Sequence, residues 1–172
     1  MTSNNGKSLD DRGAQGSGAT RQVLTFALGQ EVYGVDILRV KEIRGWSPVT
    51  RIPQSPDSVL GVLNLRGAIV PIIDLRVRLA MKSAEFNAVT VVIVLSLRIV
   101  NEQHECGIVV DSVRDVVDID TNSIKPAPAM NGGGASEFIE GITTFGEQML
   151  ILFNADGLLS GELSPVASVA AA

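Results

Sequence analysis

The sequence Ser58-Val-Leu-Gly-Val-Leu-Asn-Leu-Arg-Gly-Ala-Ile-Val-Pro-Ile-Ile-Asp-Leu75 consists of two apolar runs on either side of a short polar break, Asn64–Gly67. Short apolar runs rich in Val and Ile are typical of buried strands. Glycine at the break tolerates the positive φ that a tight reversal requires. The pattern therefore predicts a β-hairpin, Val59–Leu65 against Ala68–Ile73, with Arg66 at its tip.

The composition favours a β-rich core and argues against several kinds of partner. Of the 172 residues, 45% are hydrophobic and 4% aromatic, so the core is built from Val, Ile and Leu, and the β-branched residues favour strands. The net charge of −5 argues against nucleic acid and against an anionic membrane surface. The single cysteine, Cys106, excludes an internal disulfide and favours a reducing compartment.

The chain also lacks the sequence features of a secreted or membrane-spanning protein. Its first twenty residues contain no apolar segment of the kind found in signal peptides. Its longest apolar stretch, Val89–Leu97, is far shorter than the roughly 20 residues that cross a bilayer. We therefore expect a cytoplasmic protein without direct membrane insertion.

Alternating or continuous apolar runs predict further strands on both sides of the central hairpin. These strands are Arg21–Leu28, Val32–Val35, Val89–Leu97, Gly107–Val113, Val116–Ile119, Phe138–Thr144 and Gln148–Asn154. The predicted connections include a long polar loop, Arg98–Glu105, and a glycine-rich loop, Lys125–Ser136, which contains Gly132–Gly134. Residues 1–20 are predicted to be a disordered tail, and residues 161–172 a second tail.

Three short helices are predicted between the strands. The spacing of Ile37, Val40 and Ile43 is helical and favours a helix over Ile37–Arg44. Asp74 is a suitable N-cap for a second helix, Leu75–Ala80, in which Arg76 and Arg78 are expected to be exposed. Asp156–Leu159 is predicted to begin the last one.

The number and spacing of the strands predict an all-β fold. Roughly ten short strands separated by frequent turns are typical of barrels and sandwiches. Ala68–Ile73 and Val89–Leu97 are apolar on both faces, which a single open sheet does not require. Two small β-barrels that share a third core between them would bury both faces.

Candidate catalytic and metal-binding residues are few and do not converge. His104 lies two residues from Cys106 without an evident third group to orient the pair, and a metal site needs three or four ligands. Gly132–Gly134 lack the lysine and the Ser or Thr of a phosphate-binding loop. We therefore predict no enzymatic activity, no metal and no cofactor.

A run of carboxylates in the second half of the chain has an ordinary explanation. The run consists of Asp111, Asp115, Asp118 and Asp120. Its spacing differs from that of a calcium loop, and it alternates with valines as a solvated strand face does. The alternative, an enzyme or small-ligand binder, would gather Asp111, Asp115 or Cys106 in a deep pocket.

An ordered series of motifs extends from Gln22 to Leu159. The motifs are Phe26-Ala-Leu-Gly, Tyr33-Gly-Val-Asp-Ile37, Val40-Lys-Glu-Ile43, Gly61-Val-Leu-Asn-Leu-Arg-Gly67, Val70-Pro-Ile-Ile-Asp-Leu-Arg76, Gly107-Ile-Val-Val-Asp-Ser-Val113, Ile124-Lys-Pro-Ala-Pro128, Gly141 and Met149-Leu-Ile-Leu152. On these residues the chain resembles the CheW-like domain family. The central Asn-Leu-Arg-Gly and Pro-x-x-Asp-Leu patterns are close to diagnostic for that family.

The resemblance implies a single domain at 21–160, made of two five-stranded β-barrels that share a hydrophobic junction, with a few short helices. The first barrel is expected mainly at 22–80 and the second mainly at 86–155. The implied function is that of a non-enzymatic adaptor, which couples the cytoplasmic tips of chemoreceptors to the regulatory domain of the histidine kinase CheA. The implied location is a membrane-associated receptor array, with ring contacts between copies of the domain. An alternative is a scaffold of a non-flagellar chemosensory pathway.

The resemblance also implies two sets of binding residues. The expected receptor-binding residues are Val40, Glu42, Gly61, Asn64 and Arg66. The expected kinase-binding residues are Gly67, Gly107 and Gly141, although each of these glycines has a second explanation, since it could serve only to permit a turn.

Overall fold

The structure is a computed structural model that describes residues 19–81, 85–127 and 138–159. Three predicted features lie outside these ranges: the tail at 161–172, the triple glycine Gly132–Gly134, and residues 1–18 of the N-terminal tail. In the described part of the chain, no helix is long and apolar enough to span a bilayer.

Ten β-strands account for most of the described residues. They are β1 (Thr20–Leu28), β2 (Glu31–Asp36), β3 (Val40–Gly45), β4 (Val59–Leu65), β5 (Ala68–Asp74), β6 (Val91–Ile99), β7 (Glu102–Val110), β8 (Ser112–Asp120), β9 (Ile139–Phe145) and β10 (Gln148–Phe153). The helix α1 covers Leu75–Arg78, and short 3-10 turns cover Ile37–Arg39, Thr121–Ser123 and Asp156–Leu159. The predicted all-β class and the central hairpin are confirmed, since β4 and β5 pair antiparallel through Leu65 and Ala68.

The strands form two five-stranded sheets with the same topology. Sheet A has the order β8-β1-β2-β10-β9, and sheet B has the order β3-β6-β7-β5-β4. In each sheet one pair of neighbours is parallel, β2 with β10 and β5 with β7, and the others are antiparallel. In each sheet an isolated bridge joins one edge strand to the segment that follows the other edge strand: Val62 of β4 pairs with Thr50 after β3, and Ile142 of β9 pairs with Lys125 after β8. The sheets are therefore curled, but they are not closed by a continuous ladder.

The predicted division of the strands between 22–80 and 86–155 is wrong. Sheet A combines the first two strands of the chain with the last three, and sheet B contains the five strands between them. The hairpins β1–β2, β4–β5 and β9–β10 were predictable from local turn chemistry, whereas a parallel pair joins strands that are distant in sequence. The pairings of β2 with β10 and of β5 with β7 therefore depend on tertiary packing.

Three hydrophobic clusters fill this arrangement, as the doubly apolar strands predicted. The largest lies between the sheets and is called the junction core; it includes Leu24, Phe26, Val35, Ile73, Ile93, Leu95, Ile108, Phe138, Phe153 and Leu158. Sheet B encloses a second cluster with Val70, Ile72, Val92 and Val94, and sheet A a third with Val23, Val32, Leu150 and Leu152. Neighbouring residues of β6 point alternately into the junction core and into sheet B, which is why that strand is apolar throughout.

The predicted helix over Ile37–Arg44 is wrong, because only Ile37–Arg39 forms a 3-10 turn and Val40 begins β3. Asp36 is the N-cap, as predicted, and its carboxylate accepts from the Leu38 N–H at 2.9 Å. The chain then extends and pairs Val40 with Leu95 of β6. β-branched residues favour a strand, and pairing with β6 outweighs the helical spacing.

The predicted loop Arg98–Glu105 is also wrong. β6 extends to Ile99 and β7 begins at Glu102, and these two residues pair with each other. Only Val100 and Asn101 form the turn. Both turn residues have positive φ, 44° and 65°, as a tight two-residue hairpin turn requires. The hairpin extends beyond the core, and its polar residues, such as Arg98, Asn101 and Glu102, give this part of the strands the composition of a loop.

Candidate functional site

The tip of the β4–β5 hairpin presents Arg66 to solvent. Arg66 and Gly67 form a two-residue turn with φ of 55° and 87°, the geometry of a type I′ turn. The Asn64 side-chain oxygen accepts from the Gly67 N–H at 2.9 Å and fixes the turn from inside. The Arg66 side chain is 87% exposed, so its guanidinium can reach a binding partner while the turn backbone stays fixed.

Glu42 connects this tip to the opposite edge of sheet B. Its carboxylate lies 3.7 Å from Arg66 Nη2 and 3.9 Å from Arg44 Nη1. Ion pairs this long and this exposed contribute little to stability, so they orient the side chains more than they stabilise the fold. Three of the predicted receptor-binding residues, Glu42, Asn64 and Arg66, therefore lie together on one surface.

The other two predicted receptor-binding residues have different surroundings. Val40 is half-buried and packs against the junction core. Gly61 is buried in β4 with a φ of 152°, beside the bridge that joins Thr50 to Val62. A Cβ at Gly61 would overlap the Thr50 carbonyl oxygen, so the close approach of β4 to the segment that contains Thr50 requires glycine.

The three predicted kinase-binding glycines do not share one surface. Gly67 is exposed in the hairpin turn, with no atom near the position of a Cβ. Gly107 is buried, and its Cβ would lie 2.9 Å from Val92 Cγ1. Gly141 is buried too, and its Cβ would lie 2.7 Å from the Lys125 carbonyl oxygen. Gly107 and Gly141 thus have packing roles, and any contact with a partner would come from their neighbours.

An open groove of about 710 Å³ runs along the side of the Arg66 hairpin. It is lined by Gly67–Val70 of the hairpin, by Lys41, by Ser96 and by Glu102–Glu105. Ile69 contributes an apolar side chain that is 43% exposed, beside the charged groups of β7. None of Cys106, Asp111 and Asp115 lines this groove. Among the described residues, no group of three or more His, Cys, Asp or Glu side chains could hold a metal ion.

Cys106 is buried in the junction core and is chemically protected there. Its side chain is 1% exposed, and desolvation raises the pKa of the thiol well above its ordinary value. The thiolate is the reactive form, so the native protein should resist alkylation.

We expect iodoacetamide at pH 8 to leave Cys106 unmodified in the folded protein and to alkylate it fully in 6–8 M urea, roughly the range in which ordinary domains are unfolded. Intact-mass spectrometry measures both states, and the single cysteine makes the result unambiguous. Rapid alkylation of the native protein would contradict the burial of this side chain.

The prediction that Arg76 is exposed is wrong. The side chain is 1% exposed and lies over Phe86, with its guanidinium carbon 4.9 Å from the ring centroid. Arg76 donates to both carboxylate oxygens of Asp74 at 2.9 and 3.0 Å, and to Asp111 at 3.2 Å. The hydrogen bond to Asp74 is the main cause that raises the pKa of Arg76 above its usual value. An aspartate two residues before an arginine is the one local signal for this pair.

The buried Arg76 links the two sheets. Asp111 follows the last residue of β7 in sheet B and precedes β8 in sheet A. Its second carboxylate oxygen accepts from the Gly29 N–H at 2.7 Å, in the turn between β1 and β2. Asp111 was predicted to belong to a solvated carboxylate face, and this is wrong, whereas Asp115, Asp118 and Asp120 are exposed as expected.

Comparisons with known proteins give a consistent result. The model of the CheW-like domain family matches residues 22–163. A chemotaxis protein CheW of Klebsiella aerogenes is 49% identical over 142 residues, which cover 83% of each chain. A probable chemotaxis protein CheW of Rhizobium etli is 39% identical over 140 residues, which cover 81% of this chain and 88% of the relative. The crystal structure of the scaffolding protein TtCheW from Thermoanaerobacter tengcongensis matches with a TM-score of 0.74 and 31% identity, and the match covers 83% of this chain and 94% of that one.

Proposed function

Since this chain belongs to the CheW-like domain family, we propose that it is a non-enzymatic adaptor of chemotaxis signalling, which couples chemoreceptors to the histidine kinase CheA in a membrane-associated array. The similar proteins are named chemotaxis proteins, and the similar crystal structure is that of a scaffolding protein. The observation that carries the proposal is the exposed Arg66, held at a rigid hairpin tip beside Glu42 and Asn64.

The Arg66 surface has the properties of a docking site for a helical receptor tip. A guanidinium provides several donors in a fixed plane, so it can bind carboxylates or helix C-terminal carbonyls. The neighbouring groove adds Ile69 and the edge of the hairpin, which suit the apolar stripe of a helix. Burial of a few aliphatic side chains supports about micromolar affinity, and assembly into an array strengthens weak contacts through multivalency.

The kinase-facing contacts are proposed beside the three glycines, on separate parts of the two sheets. Gly67 is the exposed member, and Gly107 and Gly141 set the packing of the strands around them. The regulatory domain of CheA would contact the side chains that flank these positions. Contacts between copies of this chain would use the same regions.

We expect Arg66→Ala to weaken binding of a receptor-tip fragment by about tenfold or more, the loss typical of an interface arginine. The fold should be unaffected, because the side chain is 87% exposed and its pair with Glu42 is long. Isothermal titration calorimetry measures the affinity, and thermal unfolding followed by circular dichroism measures the stability.

The matched control is Arg114→Ala, which removes an exposed arginine from β8 in the other sheet. The control should bind the receptor tip as the wild type does. Equal affinities for wild type, Arg66→Ala and Arg114→Ala would contradict the proposed surface. Failure of the wild-type protein to co-sediment with receptor-bearing membranes and CheA would contradict the proposed function itself.

A further inference from the structure

Ion pairs in the two halves of the fold place opposite charges at one equivalent position. The pairing of Leu152 with Gly34 in sheet A corresponds to that of Ile72 with Gly107 in sheet B. Counting forward four residues from Leu152 and from Ile72 places Asp156 where the other half has Arg76. Asp156 pairs with Arg39, its Oδ2 accepting from Nη2 at 2.8 Å, whereas Arg76 pairs with Asp74 and Asp111.

The backbone contacts around the two pairs correspond as well. Asp74 accepts from the Arg76 N–H at 3.0 Å, and Asn154 accepts from the Asp156 N–H at 3.2 Å. Gly29 donates its N–H to Asp111, the partner of Arg76, whereas Arg98, the residue of β6 equivalent to Gly29, donates its N–H to Asp156 itself at 3.1 Å. The two sheets therefore carry related but not identical contacts at this position, and we call the Arg76–Asp74–Asp111 group and the Arg39–Asp156 pair the two joints.

The two joints differ in burial. The Arg76 side chain is 1% exposed, whereas the side chains of Arg39 and Asp156 are 36% and 38% exposed. An ion pair in contact with water exchanges readily between closed and open states, but a buried pair does not. The Arg39–Asp156 joint is thus the one of the two that can open locally.

This exposed joint adjoins the surface that carries Val40. Arg39 is the last residue of the 3-10 turn, directly before Val40 in β3, and it follows Leu38, which is 84% exposed. The turn containing Asp156 is itself anchored, since Ala155 and Leu158 are buried in the junction core. Arg39 is thereby held to a fixed point at the end of the described chain.

We propose that Asp156 is a positioning residue: through Arg39 it holds the segment Leu38–Val40 in the conformation that a receptor tip would meet. The part that concerns the receptor rests on the proposed function, whereas the conformation of the segment does not. In this proposal Asp156 acts on the receptor only through Arg39. The Arg39–Asp156 joint sets the fraction of molecules in which Leu38–Val40 has this conformation, and hence the apparent affinity for the receptor tip.

The test removes the charge of Asp156 but keeps its acceptor. In Asp156→Asn the side-chain oxygen can still accept from the Arg98 N–H, so only the ion pair with Arg39 is weakened. Two amides report on the segment: the Leu38 N–H bonded to Asp36, and the Val40 N–H bonded to the Ile37 carbonyl. We expect both to exchange about fivefold faster, the factor that corresponds to loss of an exposed ion pair.

The matched control is Glu140→Gln, which weakens the Arg21–Glu140 pair. That pair is similarly exposed and lines the same small polar cavity as Arg39 and Asp156. The control should leave exchange at Leu38 and Val40 unchanged, and Asp156→Glu, which retains the charge, should restore slow exchange. Affinity for a receptor-tip fragment should fall about fivefold in Asp156→Asn alone, with a melting temperature within about 3 °C of the wild type.

Unchanged exchange at Leu38 and Val40 in Asp156→Asn would overturn the inference, as would an equal acceleration in Glu140→Gln. Faster exchange with unchanged receptor affinity would also overturn it, because the segment would then not matter for binding. If the wild type binds no receptor tip, the proposed function fails, and the exchange measurements still decide whether Asp156 positions the segment.

Discussion

Replacing Arg76 with methionine is expected to lower the free energy of unfolding by about 3–5 kcal/mol, because one partner of a buried ion pair is removed. Methionine has a similar length and is compatible with the surrounding apolar groups, so the change in the free energy of unfolding comes mainly from the loss of charge. Asp74 and Asp111 would keep their carboxylates without the guanidinium that now binds both. Urea unfolding at 25 °C measures the change, and the corresponding drop in melting temperature is about 10 °C.

Two further variants separate charge from geometry at this site. Arg76→Lys keeps the positive charge but loses the paired hydrogen bonds to Asp74, and it should fall between wild type and Arg76→Met. Arg114→Met removes an exposed arginine and should leave stability within about 0.5 kcal/mol of wild type. If Arg76→Met cost no more than Arg114→Met, the buried pair would not hold the sheets together.

Gly61→Ala is expected to destabilise the fold by about 3 kcal/mol or more. The φ of 152° is rarely available to a residue with a side chain, and this strain alone costs about 1–3 kcal/mol. A Cβ would also overlap the Thr50 carbonyl oxygen, which belongs to the backbone and cannot turn aside. The bridge between Thr50 and Val62 would therefore have to open. Thermal unfolding measures the loss, and binding should be compared at a temperature where the variant is still folded.

The chain contains a matched control for this substitution. Gly45 lies in the edge strand β3, and no atom lies within 4 Å of the position of its Cβ, so Gly45→Ala should leave stability nearly unchanged. Gly141 lies beside the equivalent bridge in sheet A, between Lys125 and Ile142, so Gly141→Ala should also destabilise the protein. A Gly61→Ala protein with wild-type stability and weakened receptor binding would instead favour a direct binding role for this glycine.

Much of the site could be predicted from sequence because its signals are local. The turn at Arg66 and Gly67 is recognisable from the glycine between two apolar runs, and the caps Asp36 and Asp74 are recognisable from the residues they precede. The motif series then identified the family, which the comparisons confirm. The close packing of Gly61 and the burial of Arg76 could not be predicted in this way, because their neighbours Thr50 and Asp111 are brought to them only by tertiary contacts.

The sequence by itself determined most of the strands, the hairpin tip, the three cores and the family, because strand periodicity and turn chemistry act over a few residues. Only the tertiary structure decided which hairpins share a sheet, that Ile37–Arg44 is mainly a strand, and that Arg76 is buried. These features depend on parallel pairings between distant strands and on the pairing of charges across the junction core. The free energy of such contacts depends on how far water is excluded around them, and that is a property of the assembled fold.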